Sequence, residues 1–385
     1  MSDSKKHDAE SGTPPCCQPI VQPTDQASGS AGPRSTSSPE SPWITGKIRT
    51  AVGKIPVVDT ELRFADRFGS WKARWGIRRM GYRIVPGLYA TGRPTEKSPV
   101  FVTANYKMSF DRLRSQLGRI DSWILVLDTK GINVWCAAGK GTFGTDEIVR
   151  RVELHGLREI VEHRRLILPQ LGAPGVAAHK VKELSGFRVV YGPVRARDIP
   201  AFLAAGRKAT PEMRRVTFTF SERVVLIPVD LVGSAKYAFL AAACFLLLSG
   251  LGPGIYSLDR VAAYGIISAV FLLAAAVAGA ILPAALLPWL PGRPFSLKGA
   301  WAGLIPLLGI TWLALQHPEI FRNWPTFAAW FCFIPAVTSF MGMNFTGSST
   351  YTSLSGVRKE MRIAIPLQIV GAVSGLGLWM TGLFV

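Results

Sequence analysis

Cysteine is scarce: five in 385 residues, at positions 16, 17, 136, 244 and 332. With neither a C-x-x-C pair nor a clustered Cys/His set, the chain by itself builds no disulfide framework, structural zinc or iron–sulfur cluster. Lys and Arg outnumber Asp and Glu 44 to 25, a formal net charge of +19. Zinc-finger spacing and RNP-like aromatic motifs are missing, however, which sets nucleic acid aside as a partner. The first residues have no apolar h-region, so no cleavable signal peptide is expected. Toward the other end, charge itself runs out: only seven Lys/Arg and three Asp/Glu follow Lys236.

That depletion is organised. Residues 237–258, 261–292, 299–316, 323–357 and 363–385 are free of charge, and each run holds the roughly 18 to 20 apolar residues that cross a bilayer. The expectation is a transmembrane domain over 233–385, with spans near 237–257, 261–285, 299–316, 324–344 and 363–384. If the preceding domain is cytoplasmic, the gaps on its side carry Arg293, Lys298, Arg358, Lys359 and Arg362, against Arg260 and Arg322 outside. This agrees with the positive-inside rule for a cell (inner) membrane and puts the C-terminus outside. No charge falls within these spans, which argues against an ion pathway. The hydroxyl-rich stretch 344–356 reads as a capped loop or, alternatively, as a surface under the soluble domain. The basic excess lies before Lys236; Arg207, Lys208, Arg214, Arg215 and Arg223 are expected to face anionic lipid, and the remainder suits an acidic electron-transfer partner.

Residues 1–45, rich in Ser, Pro, Gly, Thr and Asp, read as a disordered tail in which Cys16-Cys17 is incidental. Residues 46–232 read as a soluble α/β domain with its core at about 75–210. Strands are expected at 99–103, 123–127, 166–168 and 187–191, alternating with helices at 109–117, 146–155, 176–184 and 199–207. Such alternation implies βαβ units in a doubly wound, Rossmann-like sheet. A hairpin over 216–229 would close this domain. Ligands of such sheets sit beyond the carboxyl ends of strands, so the loops at Asn105-Tyr106, 128–145 and 170–175 form a candidate rim.

The middle rim loop contains Asn133-Val134-Trp135-Cys136-Ala137-Ala138-Gly139-Lys140-Gly141-Thr142-Phe143-Gly144. Small residues beside a thiol leave room for a flat, bulky group to approach sulfur. Thr145, followed by Asp146 and Glu147, reads as a helix N-cap. Local chemistry leaves two other readings open: a cysteine buried as a small hydrophobe, and a phosphate loop, although the P-loop and G-x-G-x-x-G spacings are both absent.

The run N-V-W-C-A-A-G-K resembles the signature of the mercury-methylating corrinoid protein family, HgcA. The flanking residues 128–132 and 141–145 are also similar to the large subunit of the corrinoid iron–sulfur protein. The resemblance implies a cap helix under a cobalamin-type corrinoid, with Cys136 as lower axial ligand of cobalt and catalytic residue. Asn133, Val134, Trp135, Ala137, Ala138, Gly139, Lys140, Gly141, Thr142 and Gly144 would line the cofactor. The D-x-H-x-x-G motif that supplies a histidine ligand elsewhere is absent, and His7, His155, His163, His179 and His317 stand in other contexts. The family further implies a methyltransferase: reduced cobalt takes a methyl group from a folate-type donor pathway and delivers it to Hg(II), giving methylmercury. A ferredoxin-like partner with two 4Fe-4S clusters restores the reduced state. A thiolate opposite the methyl group would favour this transfer, with Lys140 supplying part of the charge that keeps the sulfur deprotonated. Cys244 and Cys332 read as packing thiols, with relay of a soft cation as the alternative. Two rivals remain: a membrane-anchored corrinoid methyl carrier for acetyl-CoA metabolism, and a non-catalytic nucleotide-binding membrane sensor.

Overall fold

The computed structural model describes residues 41–348 and 354–385, with side chains described as far as Phe345 and again from Gly356. Most of the tail expected over 1–45, and the centre of the hydroxyl-rich stretch, lie outside the described residues. A hairpin of β1 (Ile44–Thr50) and β2 (Gly53–Val58) comes first, then α1 (Phe64–Arg74). Next come β3 (Gly87–Thr91), β4 (Val100–Ala104), α2 (Lys107–Arg114), β5 (Ser122–Leu127), α3 (Val134–Gly139), α4 (Thr145–Leu154) and α5 (Leu157–Ile160). The α/β part ends with β6 (Arg165–Leu168), α6 (Ala178–Ser185), β7 (Arg188–Tyr191) and α7 (Ile199–Ala204).

The seven strands form one sheet in the order β1-β2-β3-β5-β4-β6-β7. Neighbours among β5, β4, β6 and β7 are parallel, whereas β3 runs antiparallel to β5. The expected doubly wound α/β domain is therefore present, with an antiparallel margin. β3, β4 and β5 are buried at every position, as strands covered on both faces must be. The period of two shows in β5. Leu125 and Leu127 pack with Val134, Phe143, Ile148 and Val181 of one helical layer, while Ile124 and Val126 pack with Phe110 and Phe202 of the other.

Where a hairpin was expected over 216–229, the chain is helical: α8 (Phe220–Val224) and then α9 (Ile227–Leu248). Thr219 and Glu222 form a capping box in which the carboxylate accepts from the Thr219 N–H at 2.7 Å. Pro228 occupies the first turn of α9, where its missing N–H has no intrahelical partner to lose. These start signals, followed by a long apolar stretch, override the β-branched run Val224-Val225-Leu226-Ile227. Arg223 accordingly does not face lipid. It is buried and donates to the carbonyls of Ala284 (2.7 Å) and Phe218 (2.9 Å).

The remainder comprises a small hairpin of β8 (Leu251–Gly252) and β9 (Ile255–Tyr256), α10 (Leu258–Arg260), a π turn, α11 (Ile266–Leu286), α12 (Phe295–Ala302), α13 (Leu304–Gln316), α14 (Trp324–Ser348) and α15 (Leu354–Phe384). Among the described residues, five helical stretches are long and apolar enough to cross a membrane: Phe220–Leu248, Leu258–Leu286, Phe295–Gln316, Trp324–Phe345 and Gly356–Phe384. The first begins and ends earlier than the expected 237–257, because helix starts at the capping box and breaks at the β8–β9 turn. As a result Glu222, Arg223, Asp230 and Lys236 lie at one end of it, and Arg358, Lys359, Glu360 and Arg362 at one end of the fifth.

Candidate functional site

Because β4, β5 and β6 are parallel, the loops after them meet at one sheet edge. Asn105, directly after β4 and only 2% exposed, holds the loop after β5. Its Oδ1 accepts from the Thr129 N–H (3.1 Å), the Thr129 hydroxyl (2.9 Å) and the Gly131 N–H (2.9 Å), while its Nδ2 donates to Asp128 at 3.3 Å. The turn needs left-handed backbone at Lys130 and Gly131, φ 59° and 74°. Glu147 braces it from α4, accepting from the Asp128 N–H (2.8 Å), Arg151 (2.6 Å) and Arg150 (2.9 Å). Burial raises the Glu147 carboxyl, but these donors outweigh it and hold the group below its usual range.

This braced loop delivers the chain into α3. Asn133 is the N-cap, in extended backbone, and its side chain accepts from the Cys136 N–H at 2.9 Å. Val134, Ala137 and Ala138 turn inward and are buried; Trp135 and Cys136 are half-buried, and Gly139, Lys140 and Gly141 are exposed. The chain then folds back. The Phe143 N–H donates to the Ala137 carbonyl (3.1 Å), as does the Thr142 hydroxyl (3.4 Å). Gly175, in the loop after β6, packs on the same turn so closely that a Cβ there would lie 2.4 Å from the Phe143 carbonyl oxygen and 2.9 Å from the Ala138 Cα. Gly144 has the same tightness toward Gly141, whereas a Cβ at Gly141, φ +80°, would meet open space. All eleven cofactor-lining residues expected from the sequence thus belong to one turn-helix-turn unit, and the three rim loops converge on it.

Two details differ from expectation. Gly144, not Thr145, is the N-cap of α4; the Thr145 hydroxyl instead accepts from the Ala177 N–H at 2.9 Å and ties the loop after β6 to the site. Positive charge around the site comes from an unexpected direction. Tyr106, buried beside Asn105, has its phenol pushed above the usual range by burial, with Arg79 and Arg74 opposing and negative charge at Cys136 adding to the rise. Tyr106 therefore lies within electrostatic reach of Cys136, Arg74 and Arg79, while Lys140 sits exposed at the C-cap. The 80–83 segment also borders the site, since a Cβ at Gly131 would lie 3.0 Å from the Met80 carbonyl oxygen. Nothing in the sequence flagged that segment; an Asn directly after a buried strand was the one readable sign of the Asn105 clasp. Among the described residues no three His, Cys, Asp or Glu side chains gather as metal ligands.

Comparison with known proteins bears on this unit. Residues 79–203 match the family model described as CO dehydrogenase/acetyl-CoA synthase delta subunit. The chain is 33% identical over 122 residues to the acetyl-CoA decarbonylase/synthase complex subunit gamma of Methanopyrus kandleri, covering 31% of this chain and 26% of that one. It is 32% identical over 125 residues to the corrinoid/iron–sulfur protein large subunit of Moorella thermoacetica, covering 32% and 28% respectively. Fold and similarity together give a doubly wound α/β domain, part of which is similar to subunits of these names. The chain spans about a quarter of the length of these curated relatives. The family match itself leaves out β1, β2, α1 and the whole five-span region.

Proposed function

We propose that the α/β domain holds a corrinoid with Cys136 as the lower axial ligand of cobalt, and that the chain carries a methyl group on that cofactor at a membrane. The observation that carries this reading is the position of Cys136: a half-buried thiol on a short N-capped helix at the carboxyl edge of the sheet, within the segment similar to corrinoid-protein subunits. The residues fit the group. A macrocycle fills the equatorial positions of its own metal, so one protein donor suffices, and small or exposed residues leave the thiol approachable. A bare divalent ion would need more ligands than this site offers.

When bound, the corrinoid supplies a reducible cobalt centre that accepts and releases a methyl group. The chain's own residues set the conditions for it. Asn133 fixes the start of α3 and hence the direction of the thiol, while Asn105, Thr129 and Glu147 keep the preceding loop rigid. Cys136 would hold the group through sulfur, as a thiolate a strong electron donor, and Arg74 and Arg79 lie near its neighbour Tyr106. Tyr106 stays protonated at neutral pH and adds no competing negative charge.

For the acceptor, the N-V-W-C-A-A-G-K run beside a five-span region supports Hg(II), with methylmercury as product. A folate-type pathway would supply the methyl group, and a ferredoxin-like protein with two 4Fe-4S clusters the electrons. The α/β domain, over about 46–232, would face the cytoplasm of a cell inner membrane, with spans over 233–385 and the C-terminus outside. The names of the relatives favour a second reading, methyl carriage in acetyl-CoA metabolism, more directly than they favour mercury. The test uses the full chain in nanodiscs, reconstituted with a methylated corrinoid. Methylmercury on addition of Hg(II), lost in Cys136→Ala, supports the first reading. Methyl delivery only to an acetyl-CoA-forming partner enzyme supports the second.

A further inference from the structure

Helix α1 lies outside the family match, and its own domain covers only one side of it. Asp66 and Ala73 are buried, and Gly69 lies so close to Tyr82 that a Cβ would stand 2.7 Å from the phenol oxygen. At about 100° per residue, the opposite side of the helix carries Phe64, Phe68, Trp71 and Trp75 within a stripe roughly 60° wide. These residues are 81%, 45%, 51% and 37% exposed. Their rings follow one another at centroid distances of 6.0, 5.9 and 5.7 Å. Cations flank the stripe: Arg63, Arg67 and Arg74 on one side, and on the other Lys72, whose ammonium sits 4.9 Å from the Phe68 ring. Asp66, the one acid of α1, is turned inward to Lys107 (2.6 Å) and Arg114 (2.8 Å).

The location of α1 identifies what covers the stripe. Gly76, just past its C-terminus, adjoins Val232 of α9; a Cβ there would be 3.3 Å from the Val232 Cγ1. α9 ends at Leu248, and counting back the roughly 18 to 20 residues that cross a bilayer reaches 229–231, which puts Val232 at the boundary of the hydrocarbon. The headgroup layer outside the hydrocarbon is roughly 5 to 8 Å deep on each side. An exposed aromatic face flanked by cations, held at that depth, has the composition of a helix lying in the interface of an anionic membrane.

We propose that α1 is an interfacial helix on the α/β-domain side of the membrane. Its Phe64-Phe68-Trp71-Trp75 face lies at the headgroup–acyl boundary of an anionic leaflet. The proposal rests on the five helices crossing a bilayer and is independent of the corrinoid reading. Through Asp66, Tyr82 and the 80–83 segment, this contact holds the edge of the sheet that carries Cys136 at a fixed attitude to the membrane.

The test places benzoylphenylalanine at Trp71 and, separately, at Phe239, an exposed residue inside the first span. Full-length protein is photolysed in nanodiscs of phosphatidylcholine with or without phosphatidylglycerol. Lipid adducts are expected at both positions, with the Trp71 adduct several-fold weaker in the neutral nanodisc and the Phe239 adduct unchanged. A lipid adduct at Phe239 beside a protein–protein adduct, or none, at Trp71 overturns the interfacial helix while leaving the spans intact. Failure at both positions overturns the membrane reading itself. The same probe at Phe64, the most exposed ring, keeps the test decisive if the Trp71 variant does not fold.

Discussion

Asn105→Ala should loosen the site more than any change in α3 itself. One carboxamide oxygen accepts three hydrogen bonds from Thr129 and Gly131 in a buried setting. At about 1 kcal/mol net for each, the loop loses roughly 3 kcal/mol. If the loop opens locally, the amides of Thr129 and Gly131 should then exchange about a hundredfold faster. Asn105→Asp is the informative companion. It keeps the acceptor but sets a carboxylate where Nδ2 lies 3.3 Å from Asp128. Like charges disfavour double ionisation, so this variant should hold the loop at acid pH and release it as pH rises through the carboxylate range. The assay is hydrogen exchange by mass spectrometry on a peptide covering 127–135, in the full chain without corrinoid, compared with wild type at each pH. Unchanged exchange in Asn105→Ala would refute the argument that this side chain positions the cysteine helix.

Other substitutions probe neighbouring steps. Asn133→Ala removes a cap worth about 1 kcal/mol and should weaken corrinoid binding roughly fivefold in a spectroscopic titration, with Asn133→Ser restoring it. Gly175→Ala drives a Cβ into the backbone of Phe143 and Ala138, and should lower stability by about 2 kcal/mol or more in a thermal melt. Gly141→Ala, which meets open space at φ +80°, should cost only about 1 kcal/mol. The pH dependence follows from Asp66 and Glu147. Burial raises both carboxyls, but Lys107 and Arg114 at Asp66, and Arg150 and Arg151 at Glu147, leave each below its ordinary value. A depressed carboxylate stabilises the fold above its unfolded pKa, and that contribution disappears as pH falls through the folded value. Stability should therefore be level near neutrality and drop below about pH 4. Arg114→Met, which strands Asp66 and Asp111 beside a single Lys107, should cost about 3 to 5 kcal/mol by denaturation at pH 7.

The parallel strands were legible because burial on both faces forces runs such as Trp123-Ile124-Leu125-Val126-Leu127, which no loop would carry. The candidate site was read from resemblance rather than local chemistry: a thiol among Ala and Gly left a packing cysteine and a phosphate loop open, and it was the N-V-W-C-A-A-G-K run that singled out Cys136. The clasp that holds the site was less legible, since nothing local tells that Asn105 and Thr129 meet across two strands. The 216–229 segment misled because β-branched residues were weighed above T-F-S-E and Pro228, signals that set a helix start whatever follows. Arg223 reads as lipid-facing until folding puts it against the end of α11. The antiparallel β3 went unread because Gly87-Leu88-Tyr89-Ala90-Thr91 is short and opens on glycine.

The most direct measurement is the cobalt content and visible spectrum of the full chain, purified anaerobically and reconstituted with corrinoid, beside Cys136→Ala and Cys136→His. The proposal that Cys136 holds the cofactor predicts stoichiometric cobalt in the wild type and a thiolate-dependent spectrum altered in both variants. Absence of cobalt under every reconstitution condition would contradict the corrinoid reading. Cobalt bound with an unchanged spectrum in the variants would contradict the role of Cys136.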